Sequence, residues 1–122
     1  MSKPKEKRME SLDFEIQFFE GVVKRSPEYI DALVPLAEAY TRKGLYEKGL
    51  EIDMRLSRLC KSDPIVYYNL ACSLALVGKK REAVKALKQA IDLGYDDLTH
   101  LRKDADLKCL QGMPAFEKLL KA

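Results

Sequence analysis

The chain repeats its own pattern at an interval of 34 residues (70 − 36 = 34), and this periodicity constrains its fold more than any other feature. Leu-Ala-Glu-Ala-Tyr at 36–40 aligns with Leu-Ala-Cys-Ser-Leu at 70–74, and Gly44 aligns with Gly78 at the same interval. Self-similarity at a fixed period of this length is the signature of repeat architectures, in which each unit buries its apolar face against the next. The sequence therefore predicts a short array of stacked units.

The recurring residues predict an antiparallel pair of helices in each unit, with no β-sheet. Gly44 and Gly78 stand where the first helix of each pair ends, because glycine readily adopts the left-handed conformation that closes a helix. Asp63 followed by Pro64 is typical of a helix start. Small residues recur where two helices approach closely, and large apolar residues fill the space beside that contact. The small set is Ala37, Gly49, Ala71, Ala83 and Ala90, and the large set is Leu36, Tyr40, Leu50, Leu70, Leu74 and Leu87.

Both copies resemble the tetratricopeptide repeat, a family whose period is also 34 residues. The resemblance lies in Leu33-x₂-Leu36-Ala37-x₂-Tyr40 and in Tyr67-x₂-Leu70-Ala71-x₂-Leu74, which Ala83-x₃-Leu87 continues. A half-copy precedes them, with Phe19 in the aromatic place and Pro27 in the proline place. The resemblance implies an all-α fold, a right-handed α–α superhelix.

We expect a single tetratricopeptide-like domain over residues 9–122, preceded by a disordered tail at 1–8. Apolar spacing predicts an outer helix within 9–27, two helices in a repeat at 30–63 and two more in a repeat at 64–97. Residues 98–122 form short apolar clusters interrupted by Asp104, Gly112 and Pro114, and we expect two or three short helices that cap the exposed end of the array. This segment resembles the tail that closes many bacterial tetratricopeptide arrays.

Several positions depart from the family pattern. Asp53 stands where the first copy should have its aromatic residue, and Lys61 and Tyr95 stand where the closing prolines belong. Pro35 lies inside the first helix of the first copy, where it removes a backbone hydrogen bond and should bend the helix.

The residues that carry chemistry argue against an enzyme, a metal site or a cofactor. His100 is the one histidine of the chain, so no two-histidine site can form, and its spacing to Asp104 and Cys109 matches no common zinc pattern. The glycines are all isolated, so no glycine-rich loop can hold a phosphate. We therefore expect no catalytic, metal-binding or cofactor-binding residues.

Charge and cysteine usage limit the compartment and the partners. Lysine and arginine exceed aspartate and glutamate by 22 − 19 = 3, and Arg81, Lys85 and Lys88 follow the outer face of a predicted helix without interleaved aromatics. We therefore expect no nucleic-acid partner and no membrane association, and a nucleic-acid accessory protein is the least favoured of the functions considered. Three cysteines without a C-x-x-C pair favour reduced thiols in a cytoplasm, and no secretory leader is expected at the N-terminus.

The resemblance implies a function, because the first helix of each tetratricopeptide copy lines a concave groove that takes an extended peptide or a partner helix. The expected groove residues are Val34, Glu38, Thr41, Arg42, Ile65, Tyr68, Asn69, Cys72 and Leu76. Tyr68 is expected to be an exposed binding anchor, since Tyr67 already occupies the large-residue place in the core. The alternative is a self-associating structural unit, whose groove is filled by its own tail or by a second copy.

One subtype of the family holds the terminal carboxylate of a chaperone with a lysine and two asparagines. Asn69 matches the second asparagine, but Val34 and Glu38 stand where the lysine and the first asparagine would be. Glu38 would repel a carboxylate, so the residues disfavour this subtype.

Overall fold

The computed structural model describes the backbone of residues 4–121 and the side chains of residues 8–121. Within that range the protein is all-α, as predicted, and it contains no strand. It divides into two compact units, Met1–Leu59 and Cys60–Ala122. Residues 1–3 of the expected N-terminal tail lie outside the described residues, and the backbone of residues 4–8 belongs to the first helix.

The first unit is a sequence of three packed helices. These are α1 (Pro4–Arg25), α2 (Ile30–Lys43) and α3 (Tyr46–Leu59). Contacts of α2 with both α1 and α3 form the unit. The Schellman-like turn between α2 and α3 depends on Gly44, which has φ of 86° and donates its N–H to the carbonyl of Thr41.

Polar contacts fix the antiparallel alignment of α1 and α2. Tyr40 donates its hydroxyl hydrogen to Glu20, and Arg42 forms an ion pair with Glu15 at 2.9 Å. Residues later in α2 thus meet residues earlier in α1, beside a buried apolar contact between the two helices. The buried apolar residues of the two helices include Leu12, Ile16, Val23, Leu33 and Leu36.

The second unit begins with the helix pair α4 (Pro64–Leu76) and α5 (Lys80–Asp92). Asp63 caps α4 as predicted, because its carboxylate accepts the backbone N–H groups of Ile65 at 2.9 Å and Val66 at 3.4 Å. Ala71, Ala83 and Ala90 are fully buried. The small residues therefore lie in the interior, where the sequence pattern predicts a close helix approach.

Three short elements complete the second unit: α6 (Leu98–Lys103), a 3₁₀-helix (Ala105–Leu110) and α7 (Pro114–Leu120). Leu101, Leu107, Leu110 and Phe116 are almost entirely buried, so the apolar clusters predicted for the tail form its core contacts. The 3₁₀-helix packs against both α4 and α5, and α7 packs against α5. The tail thus covers part of α4, the helix whose open face the sequence assigns to a partner.

Candidate functional site

Asp104 anchors the tail to α4. One carboxylate oxygen accepts the backbone N–H of Asp106 at 3.0 Å and caps the 3₁₀-helix. The other oxygen accepts the hydroxyl of Tyr68 at 2.5 Å and faces the thiol of Cys72 at 3.8 Å. His100 completes the group, with Nε2 3.4 Å from that same oxygen. A single carboxylate therefore joins three side chains from two segments that are far apart in sequence.

Tyr68 is held in a stack of rings. Its ring lies 4.5 Å from the ring of Tyr95, with only 12° between the planes, and 5.7 Å from the ring of His100. Tyr68 is only 6% exposed, so the expectation that it lies open as a binding anchor is wrong. The reason is that the tail folds back onto α4 and buries a second face of this helix. Whether Tyr68 also contacts a partner stays a prediction.

The burial of Leu70 and Tyr68 differs from the repeat pattern. The repeat pattern assigns Leu70 to the core, yet it is only half-buried, whereas Tyr68 and Tyr67 are both buried. Cys72, another expected groove residue, is also buried, and its pKa is well above that of an ordinary thiol because of burial and of the charges of Asp104 and Asp106. Its thiol is therefore protonated at neutral pH.

An open cleft of about 450 Å³ remains beside the covered part of α4. Ile65, Tyr68 and Asn69 line it from the first half of the helix, and Ile65 is 54% exposed. The opposite wall consists of His100 and of the segment 94–97, which contributes Tyr95 and two aspartates. The cleft therefore combines apolar area, aromatic rings, one amide and carboxylates.

Three of the five expected groove residues on α4 line this cleft, namely Ile65, Tyr68 and Asn69. Cys72 and Leu76 do not. Cys72 lies beneath the tail, and Leu76, which is half-buried, belongs to the last turn of α4. The structure therefore brings three of these five residues together at one cleft, and the contact of all five with a partner stays a prediction.

The remaining expected groove residues lie on α2 in the first unit. Glu38 is exposed and Val34 is half-buried. Thr41 donates its hydroxyl to the carbonyl of Ala37 at 3.1 Å and lies next to Gly49 of α3. Arg42 is bound to Glu15, although its side chain is still 56% exposed. Of these four residues, Thr41 and Arg42 already have partners within their own unit.

The first unit has a cleft of its own, about 400 Å³ in volume, between α1 and α3. Tyr40 and Leu36 line it together with side chains of both charges, which are Glu20, Lys24, Lys48, Glu51 and Arg55. The Nζ atom of Lys48 lies 5.6 Å from the centre of the Tyr40 ring. Because acids and bases alternate around this cleft, its charge selects no class of ligand.

Cys72, Asp104 and Asp106 place their potential metal-ligating atoms within 4.8 Å of one another. Burial and the charge of Asp104 raise the pKa of Asp106. A metal would need the thiolate of Cys72, whereas burial favours the thiol, and Asp104 already accepts the Tyr68 hydroxyl. The His100, Asp104 and Cys109 group does not assemble, since the Cys109 thiol faces the carbonyl of Ala75 at 3.5 Å. The absence of a metal site stays a prediction.

Tyr95 and Asp104 hold Tyr68 in place beside the cleft, and the sequence pattern assigned neither of them to the site. Tyr95 occupies a place where the family pattern has proline, and this departure supplies the ring that stacks on Tyr68. In the sequence, Asp104 stands out only as an interruption of the tail's apolar clusters and as a member of the rejected metal group with His100 and Cys109. The replacement of the family's proline by Tyr95 is the one sequence signal that could have drawn attention to that residue. No spacing rule predicts that Tyr95 or Asp104 contacts α4.

The fold is that of a helical-repeat-like protein built from sequential helix pairs. No family model matches the chain. A chloroplastic protein from Arabidopsis thaliana is 31% identical over 88 residues, which is 67% of this chain and 25% of that protein. The two proteins are distant homologues over this region, and the alignment spans about a quarter of the length of the curated relative. Among the described residues, no helix is both long and apolar enough to cross a bilayer.

Proposed function

We propose that this chain is a non-enzymatic tetratricopeptide-type interaction module that binds an extended peptide segment in the cleft of its second unit. The observation that carries the proposal is the exposed Ile65 at the mouth of an open cleft, on the helix that the repeat pattern assigns to partner binding. Peptide sites of this kind combine pockets for side chains with groups that bond the peptide backbone. Asn69 supplies both a donor and an acceptor.

The tail limits the site without filling it. Cys72 is buried beneath the tail, whereas Ile65, Tyr68 and Asn69 line the cleft. The partner would therefore contact α4 on one side and the Tyr95 segment on the other. The four α2 residues, Val34, Glu38, Thr41 and Arg42, are proposed as partner contacts of the first unit, considered separately from this cleft.

Selection from a library of random peptides, followed by fluorescence anisotropy on the full chain, tests this proposal. Ile65→Ala should weaken the selected peptide by roughly tenfold, which is typical of an apolar contact at a binding site. Gln89→Ala, an exposed change on α5, is the matched control and should leave the Kd unchanged. Recovery of no peptide, or equal effects of the two variants, would contradict the proposal.

A self-associating structural unit is the second candidate, and a specific observation favours it. Phe14 and Phe18 are 74% and 58% exposed and lie four residues apart on one face of α1. Adjacent exposed aromatics often mark an interaction surface. Light scattering of the purified chain should show an oligomer if this candidate is right, and Phe14→Ser with Phe18→Ser should then return it to a monomer.

Nucleic-acid binding, the least favoured of the functions considered, stays a proposal, as do a bacterial origin and a cytoplasmic setting. Arg81, Lys85 and Lys88 are exposed on α5, and Lys88 pairs with Asp92 at 3.0 Å. A gel shift that disappears with salt would reveal nucleic-acid binding at this face. A bacterial origin and a cytoplasmic setting are likewise proposed from the tail resemblance and the cysteine usage.

A further inference from the structure

The cleft of the second unit has a consistent sign of charge. Asp96 and Asp97 stand on its wall, and no lysine or arginine is among the described residues that line it. The chain as a whole is weakly basic, with a formal net charge of +3. The acidic character is therefore local to the cleft and is not a property of the surface in general.

The two carboxylates are accessible to a ligand. Asp96 and Asp97 are both exposed. Asp97 accepts the backbone N–H of His100 through Oδ1 at 3.0 Å, which fixes its position at the start of α6. One carboxylate is thus held in place by the helix it caps, while the other is its direct neighbour in the chain.

The walls beside these carboxylates suit the stem of a long cationic side chain. Ile65 offers exposed aliphatic area, and Tyr95 offers an aromatic ring that its stack on Tyr68 holds in place. Lysine and arginine bury their methylene groups on such surfaces while the charged end reaches a carboxylate or an aromatic face. An acidic residue would meet repulsion from both aspartates.

We propose that the peptide bound in this cleft is basic, with a lysine or arginine side chain placed between Ile65 and Tyr95 and its charge directed at Asp96 and Asp97. This inference rests on the function proposed above and specifies the partner. Asn69 would bond the peptide backbone beside that side chain. The charge of the cleft thereby selects against acidic segments and against nucleic-acid phosphates.

The test uses peptides selected from the random library against the full chain. Selected sequences should be enriched in lysine or arginine at one position. Replacing that residue in a synthetic peptide by norleucine, a neutral residue of similar length, should weaken binding about three- to tenfold, since each exposed charge pair contributes modestly. Replacement by glutamate should weaken it further, and the lysine-to-norleucine difference should shrink as salt is added.

Paired variants locate the effect in the cleft. Asp96→Asn with Asp97→Asn should abolish the lysine-to-norleucine difference, and asparagine at position 97 can still cap α6. Glu82→Gln with Asp92→Asn removes the same charge from the exposed face of α5 and should preserve the difference.

The outcomes separate this inference from the proposed function. Selection of acidic or neutral peptides that still depend on Ile65 would overturn the basic preference alone. A lysine preference that survives in Asp96→Asn with Asp97→Asn would overturn it as well. Failure to select any peptide that depends on Ile65 would overturn the proposed function and this inference with it.

Discussion

The hydroxyl of Tyr68 donates a hydrogen bond to the carboxylate of Asp104 across 36 positions of sequence, and this bond fastens the tail to α4. The same tyrosine stacks on Tyr95, so both its ring and its hydroxyl are used inside the protein. Tyr68 is thus a structural residue that forms one wall of the cleft. The proposed partner site is built on this contact and depends on the tail being in place.

Tyr68→Ala should destabilise the protein by about 3–5 kcal/mol, because it removes a buried aromatic ring and the hydroxyl that donates to Asp104. Leu70→Ala should cost less, since Leu70 is only half-buried. Tyr68→Phe keeps the ring and should lose about 1–3 kcal/mol, the contribution of a hydrogen bond to a charged acceptor. Urea unfolding measures all three. A larger loss for Leu70→Ala than for Tyr68→Ala would contradict this account of the tail.

Ala71→Leu should destabilise the protein by about 1–3 kcal/mol, because Ala71 is fully buried and has no space for a larger side chain. Ala115→Leu provides the control, since Ala115 is exposed on α7 and the same enlargement there should change stability little. Thermal unfolding followed by circular dichroism at the helix band compares the two. Equal melting temperatures in both variants would show that the helix contact is looser than described.

Alkaline pH should destabilise the protein through Tyr40 and Tyr68. Burial, together with hydrogen bonds to Glu20 and Asp104, raises the pKa of both phenols above the ordinary value of about 10. The folded state therefore favours the protonated phenols, and their stabilising contribution is complete below about pH 10 and is lost as the pH rises above it. Phenolate absorbance should rise in two stages, the later one coinciding with unfolding. Tyr40→Phe and Tyr68→Phe should each reduce the absorbance change of the later stage. If the folded protein showed a single stage, as the urea-unfolded chain does, the prediction would be contradicted.

The three cysteines should all be free thiols that differ in reactivity. Cys109 is exposed, Cys60 is half-buried and Cys72 is buried, with a raised thiol pKa. Labelling of the native protein with a thiol reagent should modify Cys109 first and Cys72 last, because the thiolate is the reactive form. Three thiols should label after denaturation without reductant. Labelling of only one thiol under these conditions would mean that the other two form a disulfide.

Local sequence determined most of the backbone. Glycine at the end of α2, an aspartate and a proline at the start of α4, and small residues at close helix contacts each act through neighbouring atoms or through a fixed helical spacing. Helix positions, turns and the all-α class could therefore be predicted from the order of residues. Ile65 and Asn69, which line the cleft, are also among the residues that the repeat pattern assigns to partner binding.

Only the tertiary structure decided which face of α4 remains open. Tyr67 and Tyr68 are adjacent, and a helix with a single packed face would bury one and expose the other. The tail buries the second face, because its leucines need an apolar surface and Asp104 gains the Tyr68 hydroxyl as a donor. That contact joins positions 36 residues apart, and no local spacing rule encodes such a distance. The register of α4 could be derived from the sequence, whereas the shape and the acidic wall of the cleft depend on where the chain returns.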